Sequence, residues 1–426
     1  MINDILHLCK NYSEEYCSKE FTEMISLKIK SNKYTWIAGA SFLAMLASLF
    51  FVQLDDLLVP MAFCWFMFML VQGKIKSRSR SVIYVLLLFL YSLLLFAIKV
   101  TSIDIELIKI YVNCIVVFAI IYSSYKTGAI MAQNGRKETL ITIIILIGVF
   151  NSIVNIISWI TTTGGVVGRY NFKSLINGSV SANVGLSLIA AMLLLSSKKY
   201  RNVIKWILFA ICASNMLIVL TRQKQVLFVA GIVMYFFIVC RNEKKLSKNI
   251  ERFLIVIIAV VLVFAMLPNV LSVVFQQYDS MFDASRGDNI NRTLAEIDAY
   301  NMFQKTWGLG VGYGNFGVYA ELTNLATPHG GFQSVLSELG ALGVLQMVCL
   351  FVNLLKQCYK IAFVNKNSDL YGAVVLLILC CVAFYPSNTS LLPPPNERAY
   401  YLECIIYWML IGIVSTSVIQ KQREPI

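Results

Sequence analysis

His329 is the residue in this chain best suited to move a proton. It is one of only two histidines, follows Pro328 and stands just before a long apolar block. An imidazole titrates near neutral pH, so at the edge of a membrane helix it suits proton transfer to or from a bound substrate. A solvated loop histidine is the plainer alternative. The other histidine, His7, lies in a Lys-rich N-terminal tail and is read as incidental. Arg222 and Lys224 open an apolar block in Thr221-Arg-Gln-Lys-Gln225. A helix N-terminus carries partial positive charge and disfavours cations. Two cations there, beside free backbone N–H groups, point to an anion site. Arg169 sits in Gly164-Gly-Val-Val-Gly-Arg-Tyr-Asn-Phe172, ahead of Asn177 and Asn183. It is a candidate second guanidinium for a phosphate or sugar oxygen, because arginine forms bidentate pairs with such groups. A solvated loop arginine is the alternative. Arg292 lies in a polar stretch where it either joins these cations or pairs with Asp288 or Glu296 on a helix surface.

Glu338 follows His329 by nine residues, ~13 Å along a helix. A carboxylate at that depth is costly unless it is paired or faces water, so it is expected to partner a buried arginine or touch substrate. The run Gly308-Leu-Gly-Val-Gly-Tyr-Gly-Asn-Phe-Gly317 lacks the Gly-Lys-Ser/Thr ending of a nucleotide loop. It reads as turns that bring backbone close to a ligand. Asp279, Asp283 and Asp288 form an acidic stretch, more simply a solvated surface than a cation site. No pattern calls for a metal or another cofactor.

The elements that must hold these residues are membrane helices. The 426 residues are 58% hydrophobic and only 14% charged, against about a quarter charged in soluble chains. Mean hydropathy is +0.71. The apolar residues fall in blocks near 34–53, 57–72, 81–100, 105–125, 139–160, 180–196, 203–220, 225–240, 253–276, 331–355, 370–386 and 400–420. Most have the ~20-residue length that spans ~30 Å of hydrocarbon. The expected fold is all-α and polytopic, with about twelve transmembrane helices and both termini inside. A cytoplasmic tail (1–33) leads to helices 1–9 (34–276), a large external loop (277–330), helices 10–12 (331–420) and a short tail (421–426). Residues 1–33 are polar, so the first apolar block is expected to direct insertion itself.

The formal charge of +13 supports this topology. With the N-terminus inside, every second loop is rich in Lys and Arg, as the positive-inside rule requires. The outside segments hold only Lys99, Arg169, Lys173, Arg222, Lys224, Arg286, Arg292, Lys305 and Arg398. No aromatic-plus-basic or DNA-reading pattern suggests nucleic acid. None of the eleven cysteines lies in the long outer segments 161–179, 277–330 or 386–399, and no spacing suggests disulfides or a metal site. Within the large loop, residues 289–304 read as an amphipathic helix with Leu294, Ile297, Tyr300 and Met302 as its apolar positions.

These features resemble the O-antigen polymerase and O-antigen ligase superfamily of bacterial surface-polysaccharide assembly. The resemblance is sharpest over about 290–345, where the Arg292 helix, the glycine run, Pro328-His329 and Glu338-Leu-Gly-Ala-Leu-Gly343 occur in the family's order. Thr221-Arg222 is similar to an outer-end Thr/Ser-Arg motif, and Arg169 with Asn183 to a loop-to-helix pattern. Gly330 departs from it, standing where Asn often follows the histidine, as does Gln223 after the motif arginine. The resemblance implies a glycosyltransferase with an undecaprenyl-pyrophosphate-linked oligosaccharide donor and no metal. It implies catalytic roles for His329, Arg222 and Arg292, and substrate contacts from Arg169, Lys224, Asn183, Glu338 and Arg398. Membrane lipids and a chain-length regulator are the implied partners. A polymerase is favoured over a ligase by the glutamate-containing run after His329. A transporter or flippase is the alternative of another class, disfavoured because the apolar blocks are nearly free of charge and the halves do not match.

Overall fold

The computed structural model describes residues 42–43, 57–71, 80–99, 105–163, 180–200, 202–219, 221–242, 287–328, 330–385, 391–395 and 397–421. Among these the regular structure is entirely helical: α1 (Leu58–Val71), α2 (Arg80–Lys99), α3 (Ile105–Gln133), α4 (Lys137–Thr163), α5 (Val180–Ser196), α6 (Asn202–Ile218), α7 (Arg222–Asn242), α8 (Gly287–Lys305), α9 (Phe316–Tyr319), α10 (Gly331–Tyr359), α11 (Tyr371–Ala383) and α12 (Tyr401–Lys421). The expected apolar blocks at 34–53 and 253–276 lie outside the described residues, save Phe42 and Leu43. Every other expected block coincides with a described helix.

Six described segments are long and apolar enough to cross a membrane: Arg80–Ile98, Ile108–Gln133, Lys137–Thr162, Gln223–Asn242, Gly331–Val364 and Arg398–Ile419. The apolar segments Leu58–Val71, Val184–Ser196, Val203–Ile218 and Ser368–Ala383 are shorter. At 1.5 Å per residue, a 17-residue helix reaches only about 25 Å, short of the ~30 Å core. The protein is thus a multi-pass helical membrane protein by length and composition.

α12 lies at the centre. It packs most extensively along α3, while α4, α5 and α6 form a second layer. The apolar stripe Leu86, Leu90 and Leu94 of α2 is exposed, as suits a helix facing lipid. Between α7 and α10, α8 packs on α10 and carries a small core of its own: Ala295, Ala299, Met302, Val311 and Phe316. The helix expected at 289–304 is therefore present, but its buried face differs. Ala295, Asp298, Ala299 and Met302 are buried, whereas Ile297 and Tyr300 are exposed. Close packing against α10 selects the small side chains, so hydrophobicity alone misplaces the stripe by about one residue.

Candidate functional site at the helix ends

α10 is broken at Gly340, whose φ of 62° and ψ of −159° are not helical. The break exposes backbone groups that a helix would pair internally, and the glycine run takes them up. The Val311 N–H donates to the Ser337 carbonyl at 2.8 Å, and the Gly312 N–H to the Glu338 carbonyl at 2.8 Å. In return the Ala341 N–H donates to the Gly308 carbonyl at 2.9 Å. Gly308, Gly310, Gly312 and Gly314 all have positive φ, a region open to glycine at little cost. A Cβ on Gly340 would strike the Gly308 carbonyl, and one on Gly310 the backbone of Glu338. The run does bring backbone close to a partner. That partner is the kinked helix, not a ligand as the sequence suggested.

This clamp fixes Glu338. The side chain is 3% exposed. Its carboxylate accepts from the Phe316 N–H at 3.3 Å and from the Gly314 N–H. Two backbone donors, one opening α9, thus take the place of the arginine partner expected for it. A cavity of about 10 Å³, enough for roughly one water, adjoins the carboxylate. It is lined by Tyr313, Thr327, Gly331, Ser334, Val335, Glu338, Leu392 and Pro394. Burial pushes the Tyr313 phenol well above its usual range, so it stays protonated and donates to the Pro393 carbonyl.

His329 lies outside the described residues, but Thr327 and Gly331 on either side of it line the Glu338 cavity. Thr327 Oγ1 also donates to Glu397 Oε1 at 2.9 Å. Gln333 folds back over Gly330, and a Cβ there would collide with its Oε1. Gln333 Nε2 also approaches Glu296 Oε1, at 3.5 Å. Arg292 is one turn before Glu296 on the same stripe of α8, and its side chain is exposed.

A second buried carboxylate, which the sequence reading did not single out, organises the other predicted residues. Glu403 of α12 is 1% exposed. It accepts from Lys224 Nζ at 2.9 and 3.2 Å. The Lys224 charge is thereby met by a carboxylate within the protein. Gly185 of α5 makes room for this pair, since a Cβ there would overlap the Glu403 carboxylate. Asn183 lies in the first turn of the same helix, two residues before Gly185, and Arg222 begins α7 two residues before Lys224; their side chains lie outside the described residues. Arg398, half-buried, opens the 3-10 turn that leads into α12. Arg169 is outside the described residues. Residues near the starts of α5, α7 and α12 thus meet at one ion pair, while the segment ahead of α10 contacts the segment ahead of α12 through Thr327 and Glu397. Among the described residues no group of His, Cys, Asp and Glu could hold a metal ion.

Glu403 was detectable in principle. It is a carboxylate in an otherwise apolar block, a pattern that marks a paired or functional group. The Thr327–Glu397 contact had no local signal, since 70 residues separate the partners.

Residues 207–348 match the sequence model of a family described as O-antigen ligase. The match runs from α6 to α10 and contains Arg222, Lys224, Arg292, His329 and Glu338; Glu403 lies beyond it. It supports the resemblance at the level of the O-antigen ligase and polymerase superfamily, and with it glycosyl transfer in the broad sense. No curated protein matches the chain.

Proposed function

We propose that this protein polymerises glycan on the outer face of the bacterial cytoplasmic membrane, joining undecaprenyl-pyrophosphate-linked repeat units into O-antigen or capsular polysaccharide. The observation that carries the reading is the match of residues 207–348 to the O-antigen ligase family, supported by the buried Lys224–Glu403 pair beside the start of α7, where Arg222 stands. In this reading the chain crosses the membrane twelve times with both termini inside.

The acceptor hydroxyl oxygen attacks the anomeric carbon of the donor glycan. The bond from that carbon to the pyrophosphate oxygen breaks, and the lipid pyrophosphate leaves. His329 takes the hydroxyl proton as the new bond forms. Arg222 and Arg292 stabilise the negative charge developing on the leaving pyrophosphate. Arg169, Asn183 and Arg398 contact the substrate. Lys224 and Glu338 act from within the protein, Lys224 by anchoring the start of α7 and Glu338 by shaping the loop that precedes His329. The step needs no metal, and a chain-length regulator is the natural protein partner.

A ligase that transfers the glycan to lipid A core is the second reading, favoured by the description of the matching family. The glycans of a deletion strain separate the two. Loss of a polymerase leaves single repeats on the surface anchor, whereas loss of a ligase strands long chains on the carrier lipid. Purified protein incubated with a synthetic lipid-pyrophosphate repeat is expected to lengthen it without any gradient; failure to do so, with transport in its place, would identify a flippase. His329→Ala and Arg222→Ala are expected to abolish polymer while the protein still inserts. Glycan of normal length in both variants would remove these residues from the mechanism.

A further inference from the structure

A second cavity, of about 110 Å³, adjoins the glycine run at Val311 and shares no lining residue with the Glu338 cavity. Its walls come from α8 (Asp298, Asn301, Met302, Lys305), from Thr306 and Val311, from Tyr319 at the end of α9, and from Glu321 after it. We infer that this cavity is a subsite for an uncharged sugar ring of the glycan, held apart from the pyrophosphate end of the substrate. The inference rests on the glycan-joining reading above and adds to it a site remote from the reacting bond.

Charge comes first. Lys305 and Glu321 pair across the rim at 2.6 Å, with side chains 60% and 65% exposed. An ion pair so exposed belongs against water, since hydrocarbon would make it costly. Asp298 remains as the uncompensated charge of the lining. One of its oxygens, Oδ2, accepts from the Leu322 and Thr323 N–H groups at 2.9 and 3.1 Å. The lining therefore carries a net negative charge, which repels a pyrophosphate.

Chemistry and size come next. Met302 and Val311 give an apolar floor, Tyr319 a half-exposed ring, and Asn301 an amide able both to donate and to accept. That combination suits a pyranose, which has an apolar C–H face and a rim of hydroxyls. The space, about 110 Å³, is many times what one water needs and is of the size to take part of a sugar ring. The floor is also built into the site. Val311, which lines this cavity, donates its N–H to Ser337, next to Glu338. A sugar seated here is thus held against the same clamp that positions the reactive end.

The test uses purified full-length protein and glycan freed by mild acid from the host's own surface polysaccharide. Saturation-transfer NMR is expected to show ring-proton contacts that inorganic pyrophosphate does not displace. Asn301→Ala and Tyr319→Ala are expected to weaken binding about ten-fold, the equivalent of ~1.4 kcal/mol, with Tyr319→Phe retaining most of it. Lys305→Ala, at an exposed side chain, provides a folded variant with an altered rim and is expected to weaken binding about three-fold. In the joining assay the first two variants should raise the acceptor KM and leave kcat within about two-fold. Unchanged binding in all these variants, or displacement by pyrophosphate, would overturn the subsite. If wild type binds glycan in a cavity-dependent way but joins none, the subsite stands and the polymerase reading falls.

Discussion

Glu338 and Glu403 are both buried carboxylates in the N-terminal parts of their helices, and the protein holds them in opposite ways. Glu338 is met by backbone N–H groups of a loop nearby in sequence. Glu403 is met by a lysine ammonium 179 residues away. The first arrangement sets the shape of one segment, because its donors cannot move without refolding the loop. The second ties α7 to α12 at a point where Gly185 of α5 leaves room for the pair. A neutral acceptor can replace a carboxylate facing N–H groups, but not one facing an ammonium.

This difference is open to attack by mutation, with thermal unfolding of purified protein in detergent as the readout. The largest effect is expected from Lys224→Ala. It leaves Glu403 buried without its ammonium and should cost about 3–5 kcal/mol. The double change Lys224→Met with Glu403→Leu should recover most of that loss, and equal instability of single and double variants would break the ion-pair account. Gly340→Ala comes next. Left-handed backbone costs about 1–2 kcal/mol and overpacking about 1–3 kcal/mol, so a loss near 3 kcal/mol is expected; a wild-type melting temperature would mean the kink is not needed.

Glu338→Ala should cost about 1–3 kcal/mol by leaving two donors unpaired. Glu338→Gln, which keeps an acceptor oxygen, should cost under about 1 kcal/mol. If the glutamine variant is as unstable as the alanine variant, the charge and not the geometry holds the loop. The smallest effect on stability belongs to Arg292→Ala. Its side chain is exposed, so unfolding should move by less than about 0.5 kcal/mol, while the yield of polymer falls steeply. A stable variant with full polymer yield would leave Arg292 as a surface charge.

The helices were readable from sequence because hydrophobic block length is a local property. What the glycines do was not. The φ values of Gly308 to Gly314 serve a break at Gly340, and that break shows in sequence only as one more glycine in an apolar run. The face of α8 was misassigned for a related reason. Ala295 and Ala299 are buried because another helix comes close, and no hydropathy scale reports closeness. Among the charged residues, the search favoured cations that defied the topology rule. It found Lys224 and missed Glu403, although each explains the other. The cations at Arg222 and Arg292 remain where the sequence placed them, at the start of α7 and on α8.

The ion pair also bears on the order of synthesis. The Glu338 clamp joins residues within a few tens of each other, so it can close soon after α10 is inserted. Lys224 enters the bilayer with α7 long before α12 exists, and chains fold from the N-terminus as they are made. Until then its flexible stem can carry the ammonium toward water. The pair with Glu403 can close only once α12 is made. This contact is therefore completed late, by a residue that lies downstream of the matched family segment.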